Sequence, residues 1–184
     1  MSADASGAPH PPEHNALPRA ARRWWLWAAL ALVTGAITVS AAGSFNIVDL
    51  ELAGTLERAD EVTAGTDPGT IRMAIYWDFV FIFSYVLALS SGSLWTRRQF
   101  PNGFGSKLGL PIAIGAVTAG VFDVVENLAM LGYLNGWGEW TGWIAVARAM
   151  AIPKFILVFI SIAYILGGIG TWVFRRLSHR GHQR

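Results

Sequence analysis

The sequence predicts an all-α, integral membrane four-helix bundle with both termini in the cytoplasm. Three observations lead there: charge is scarce, the apolar residues fall in four long blocks, and the basic residues are placed unevenly. Of 184 residues, 53% are hydrophobic and only 14% are charged, against about a quarter charged in a soluble domain. A helix needs roughly 20 apolar residues to cross a bilayer. Four stretches supply them, at about 24–43, 73–95, 110–134 and 143–174. Together they make one membrane domain over 21–176, and the lipid bilayer is its first partner.

The chain opens with residues 1–20, rich in Ala, Pro and His around "APHPPEH", which read as a disordered cytoplasmic tail. Arg19, Arg22 and Arg23 then precede the first span. A cleaved signal peptide is the competing reading of 19–43. Its apolar run exceeds the usual h-region of about 7–15 residues, and the tail before it is long. The connection 44–72 is acidic, with Asp49, Glu51, Glu57, Asp60, Glu61 and Asp67 against Arg58 and Arg72. Within it, 45–63 suits a short amphipathic helix with an acidic face, lying on the outer surface or capping the bundle. "GTDPGT" then makes a turn into the second span.

The loop between spans two and three holds Arg97, Arg98 and Lys107 and no acid. The next connection holds only Glu139, and the fourth span, long enough to tilt or project, ends at Arg175 and Arg176. Residues 177–184 form a basic cytoplasmic tail with Arg180 and Arg184. Basic segments stay on the cytoplasmic side. All three basic segments agree, so both ends of a four-span chain are expected inside. Trp24, Trp25, Trp27, Trp95 and Trp172 suit the inner interface, and Tyr76, Trp77, Tyr133, Trp137, Trp140 and Trp143 the outer one.

Charges inside these spans are the chemical signal. Asp123, Glu126 and Asn127 stand at i, i+3 and i+4, on one helical face. Span two adds Asp78 and, seven residues on, Tyr85; span four adds Arg148 and Lys154, the latter directly after Pro153. At 1.5 Å per residue, Asp78 and Arg148 lie about 8 Å below the outer ends, Glu126 about 12 Å, and Asp123 and Lys154 about 16 Å. An unpaired charge at a helix centre costs roughly 2.5–3.5 kcal/mol even on the lenient scale. These groups are therefore expected to face inward and pair, Asp123 with Lys154 and Asp78 with Arg148. Arg148 and Lys154 are about 120° apart on a straight helix, so Arg148 has an alternative: to snorkel toward Glu139 or an acid of the outer loop. Glu126 is left over in this count, a spare acid open to a proton or cation.

The absences narrow the chemistry. The chain has no Cys, and its four His lie at 10, 14, 179 and 182, in the tails. Haem ligation by two His, a Ser-His-Asp triad and His-based zinc chemistry are thereby disfavoured. No phosphate-binding or dinucleotide glycine pattern appears, and nucleic acid is not an expected partner. No cofactor is expected. A hard cation held by Asp78, Asp123 and Glu126 would compete with Lys154 and Arg148, so no metal is expected.

The segments "IVDLELAGTLERADEV", "YWDFVFIFSY" and "GVFDVVENLAML", with a lysine in the last span, resemble a family of small bacterial integral membrane proteins of undefined function. The resemblance covers roughly 46–165. It implies that Asp78, Tyr85, Asp123, Glu126, Asn127 and Lys154 form a recognisable pattern, and it implies no activity. From the residues themselves, the expected function is to bind or conduct a small polar species, proton or cation in an outward-facing polar pocket between spans two, three and four, under the segment 45–63. A full pathway would need a homo-oligomer or a larger complex. The alternatives are an accessory subunit whose charges only lock the helices, and a lipid-modifying enzyme with Asp123 and Glu126 as acid and base. The enzyme reading lacks a nucleophile.

Overall fold

The computed structural model describes residues 23–100, 103–138, 140 and 142–181. The expected tail 1–20, Arg19, Arg22, Glu139 and residues 182–184 lie outside them. Among the described residues the chain is all-helical: α1 (Trp24–Ala42), α2 (Ile47–Glu51), α3 (Leu56–Thr63), α4 (Pro68–Thr96), α5 (Phe104–Asn135) and α6 (Trp143–Gly181). Four of these, α1, α4, α5 and α6, are long and apolar enough to cross a membrane. The chain is a multi-pass membrane protein.

Three of the four long helices extend beyond the apolar stretches that predict them. Helix α4 starts at Pro68 because Asp67 caps it, its carboxylate accepting the Thr70 N–H at 2.9 Å, and because proline suits the first helical position. Helix α5 starts at Phe104 and continues through Pro111. Helix α6 runs on to Gly181, so the basic end expected as a tail from 177 is still helical there. Its 39 residues span about 58 Å, well beyond a hydrocarbon core of about 30 Å.

The acidic connection forms two short helices rather than one. Asn46 caps α2 and Thr55 caps α3. Between them Gly54 takes a φ of +75°, with the Arg148 side chain packed against it. The positive φ is what requires glycine here; the Arg148 guanidinium, 2.6 Å from where a Cβ would lie, is the end of a flexible side chain and could move aside.

Helices α4, α5 and α6 all pack on one another, whereas α1 packs principally on α4. The arrangement is a three-helix core with α1 at its side, a more lopsided form than the bundle expected. The reason lies in α1 itself. Its buried residues, Ala31, Thr34, Thr38 and Ala42, make one narrow stripe wide enough for a single neighbour. Thr34 hydrogen-bonds Ser84 at 2.8 Å across this seam, and Trp24 meets Trp95 at 5.4 Å.

The core helices bury small and polar residues and expose large apolar ones. On α5, Ala113, Ala116, Ala119, Gly120, Asp123, Glu126 and Asn127 are buried, while Leu110, Ile114, Val117, Val121, Val125 and Leu128 are exposed. In water this pattern would be inverted; in lipid the apolar face is solvated and close packing of small residues holds the helices. Helix α2 inserts at the end of the core and touches α4, α5 and α6. Beneath it, Leu50 joins Ile71, Ile75, Met130, Ile144 and Ala147 in an apolar cluster.

Candidate functional site

Among the described residues, the buried charged side chains are Glu51, Asp78, Asp123, Glu126 and Lys154, four acids against one base. They converge because each helix turns the face carrying them inward. On α6 the buried positions Ile144, Ala147, Ala151, Lys154, Ser161, Ile165 and Gly168 recur at three- and four-residue steps and multiples of them, so Lys154 lies in the middle of the core-facing stripe. On α5 the i, i+3, i+4 spacing presents Asp123, Glu126 and Asn127 together.

Lys154 is the hub, 4% exposed. Its Nζ donates to Glu126 Oε1 at 2.9 Å, to Asp123 Oδ1 at 3.0 Å and to Glu51 Oε2 at 3.2 Å. An ammonium has three protons, so its donor capacity is filled. The second Asp123 oxygen accepts the Tyr85 hydroxyl at 2.8 Å, and the Asn127 amide donates to Asp78 Oδ2 at 2.7 Å.

Two acceptors in the cluster have no donor. Glu126 and Asn127 are 0% exposed. Nζ lies 2.9 Å from Glu126 Oε2 as well, but makes no hydrogen bond to it. Asn127 Oδ1 is also without a partner. Buried polar groups are nearly always satisfied, and an orphan in a native site calls for a missing proton, water or ion. The Glu51 and Glu126 carboxyls meet on one ammonium, with oxygens 3.2 Å and 2.9 Å from Lys154 Nζ. Burial pushes the Glu51 carboxyl above the usual carboxylate range; Lys154 pulls the other way, and Asp123 adds to the rise.

The structure brings six of the seven sequence-predicted residues together: Asp78, Tyr85, Asp123, Glu126, Asn127 and Lys154. Asp123 meets Lys154 as expected. Arg148 does not join them, and the expected Asp78–Arg148 pair is not formed. With Lys154 turned inward, the angular offset between the two leaves Arg148 exposed at the side of the core, against the Gly54 turn. Asp78 takes a neutral partner, Asn127, instead. The alternative partner of Arg148, Glu139, lies outside the described residues. Glu126 does pair, because a single ammonium contacts all three neighbouring carboxyls, but the excess of acid over base is larger than the sequence count gave. Glu51 was missed. The signal for it was present: Ile47, Leu50 and Glu51 are at i, i+3 and i+4, so this acid lies on the apolar face of its helix.

A separate cavity of about 300 Å³ lies beside α3, lined by Thr63, Thr66, Pro68, Ile71, Arg72, Tyr133 and Leu134. None of the cluster residues lines it. Arg72 there is engaged at 2.8 Å with Asn135 Oδ1 and at 2.9 Å with the Leu134 carbonyl.

Five buried charges and two orphan acceptors leave the cluster short of positive charge and of donors, and among the described residues no group of three or more Asp, Glu or His is placed to hold a metal ion. No family model, no curated protein and no solved structure matches this chain, so its resemblance to a membrane family gains no support there.

Proposed function

We propose that the protein binds or conducts a proton or small cation at the Lys154 cluster, with Glu126 as the exchanging carboxyl. One observation carries this reading: four buried acids face one buried base, and a Glu126 oxygen has no donor. A single ammonium cannot neutralise four carboxylates in a medium of low dielectric. The balance is supplied by protons or by a bound cation. By the distribution of Lys and Arg, both termini face the cytoplasm of a bacterium and the cluster lies in the outer half of its inner membrane. The three-helix core is small for a complete pathway, so we assign the conducting unit to a homo-oligomer or a larger complex.

A second reading is favoured by the filled donor capacity of Lys154: the cluster locks three helices and one loop in register, as in an accessory subunit. The two readings part at Glu126→Gln, which keeps an acceptor for Lys154 and cannot ionise. In liposomes carrying a pH-sensitive dye, exchange predicts that the variant purifies at native yield and loses at least about tenfold of the proton flux. Flux equal to that of the native protein, or a native protein no more active than empty liposomes, overturns the exchange function.

A further inference from the structure

Glu51 is the one member of the cluster that does not come from a spanning helix. It comes from α2, a single helical turn and a little more. Two glycines in the left-handed region bracket that segment, Gly43 at φ +62° and Gly54 at φ +75°. The segment closes its end of the core: Leu50 is fully buried on Ile71, Ile75, Met130, Ile144 and Ala147. The Lys154 contact to Glu51, at 3.2 Å, is the longest of its three.

Glu51 and Glu126 share one ammonium that Asp123 also engages, so the two carboxyls repel each other unless one carries a proton. The Glu126 Oε2 atom, buried without a hydrogen-bond donor, shows the need from its own side. We propose that one proton shared between Glu51 and Glu126 latches α2 onto the core, making α2 a plug that is released as pH rises. This rests on the reading of the cluster as a proton- or cation-exchanging site and names the proton as the species exchanged. With the proton in place, one carboxylic O–H donates to the opposite carboxylate. When it leaves to bulk water, two carboxylates face each other around a cation already engaged by Asp123. Repulsion then acts on α2, the one partner that is not part of a spanning helix.

The groups facing Glu51 are consistent with that sign. Helix α6 presents Lys154, while Arg148, six residues before it, is exposed at the side of the core; α5 presents Asp123 and Glu126; α4 presents Asp78; on α2 itself Asp49 is exposed. Acids outnumber bases on every side but α6. The raised Glu51 carboxyl gives the same sign by linkage. Its contribution to docking is complete below its ordinary value of 4.5 and is lost as pH climbs through the raised one.

The chain has no native cysteine, so single cysteines report docking directly. Ala53→Cys places a thiol at a residue buried by docking, and Glu57→Cys supplies an exposed reference. Labelling of the purified full chain by a water-soluble maleimide is followed between about pH 5 and about pH 9. The ratio of the two rates, which cancels thiolate chemistry, is expected to rise about tenfold or more. Ala116→Cys, fully buried away from α2, stays unreactive. In Glu51→Gln the ratio stays at its low acid value. A flat ratio in the otherwise native chain, a rise that persists in Glu51→Gln, or parallel labelling of Ala116→Cys overturns the latch. Flux measured on the same preparations separates the two readings. A flat ratio beside Glu126-dependent flux removes the latch alone, and a rising ratio without flux removes the exchange function and leaves the latch standing.

Discussion

Lys154 holds three carboxyls with one ammonium. Removing one partner of a buried ion pair leaves an uncompensated charge and costs about 3–5 kcal/mol. Lys154→Met removes the partner of three. Its expected outcome is a near absence of folded protein in the membrane fraction, measured by detergent-extracted yield. Tyr85→Phe is the contrast in the same series. It removes one hydrogen bond to Asp123, costs about 1 kcal/mol, and lowers the melting temperature in detergent without loss of yield. Equal yields for these two variants would contradict a hub centred on Lys154. Asp123, Glu126 and Lys154 were legible in the sequence because a charge in an apolar run is conspicuous. Glu51 was not, because an acid in an acidic loop looks solvated. Its place on the apolar face of α2 was a local sign of burial, but its contact with Lys154 closes over 103 positions, so the partner was not legible.

The helices themselves were read from apolar length, which fixes existence better than extent. Their ends depend on capping and on breaker residues, so α4 reaches back to its Asp67 cap and α6 runs past its apolar stretch. How closely they approach depends on small residues whose partners the sequence does not name. A Cβ at Gly120 would lie 2.4 Å from Val86 Cγ2, a branched side chain with little rotamer freedom. Gly120→Ala is therefore expected to destabilise the α4–α5 seam by about 1–3 kcal/mol. Adding Val86→Ala should restore at least half of that loss. Denaturation of the single and double variants in mixed micelles measures the coupling, and additive losses would place the strain elsewhere. The split of the acidic connection at Gly54 has local causes, the positive φ of that glycine and the Thr55 cap that starts the next helix.

The molecule as a whole is a core of three helices with α1 leaning on α4 and α2 closing one end. Orientation in the membrane follows from charge, and fusion reporters test it. A fluorescent protein that folds only in the cytoplasm should fluoresce at either terminus, and a phosphatase active only outside should be silent at both. The opposite pattern at either end would invert the assignment. The position of Lys154 in the chain has one more consequence, which concerns manufacture. Synthesis delivers Glu51, Asp78, Asp123 and Glu126 to the bilayer in that order, and their common counter-ion last, on α6. Until the ribosome finishes that segment, the acids of the cluster lack their common counter-ion. A chain stopped before α6 is therefore expected to leave those acids uncompensated and to pack less stably than the whole.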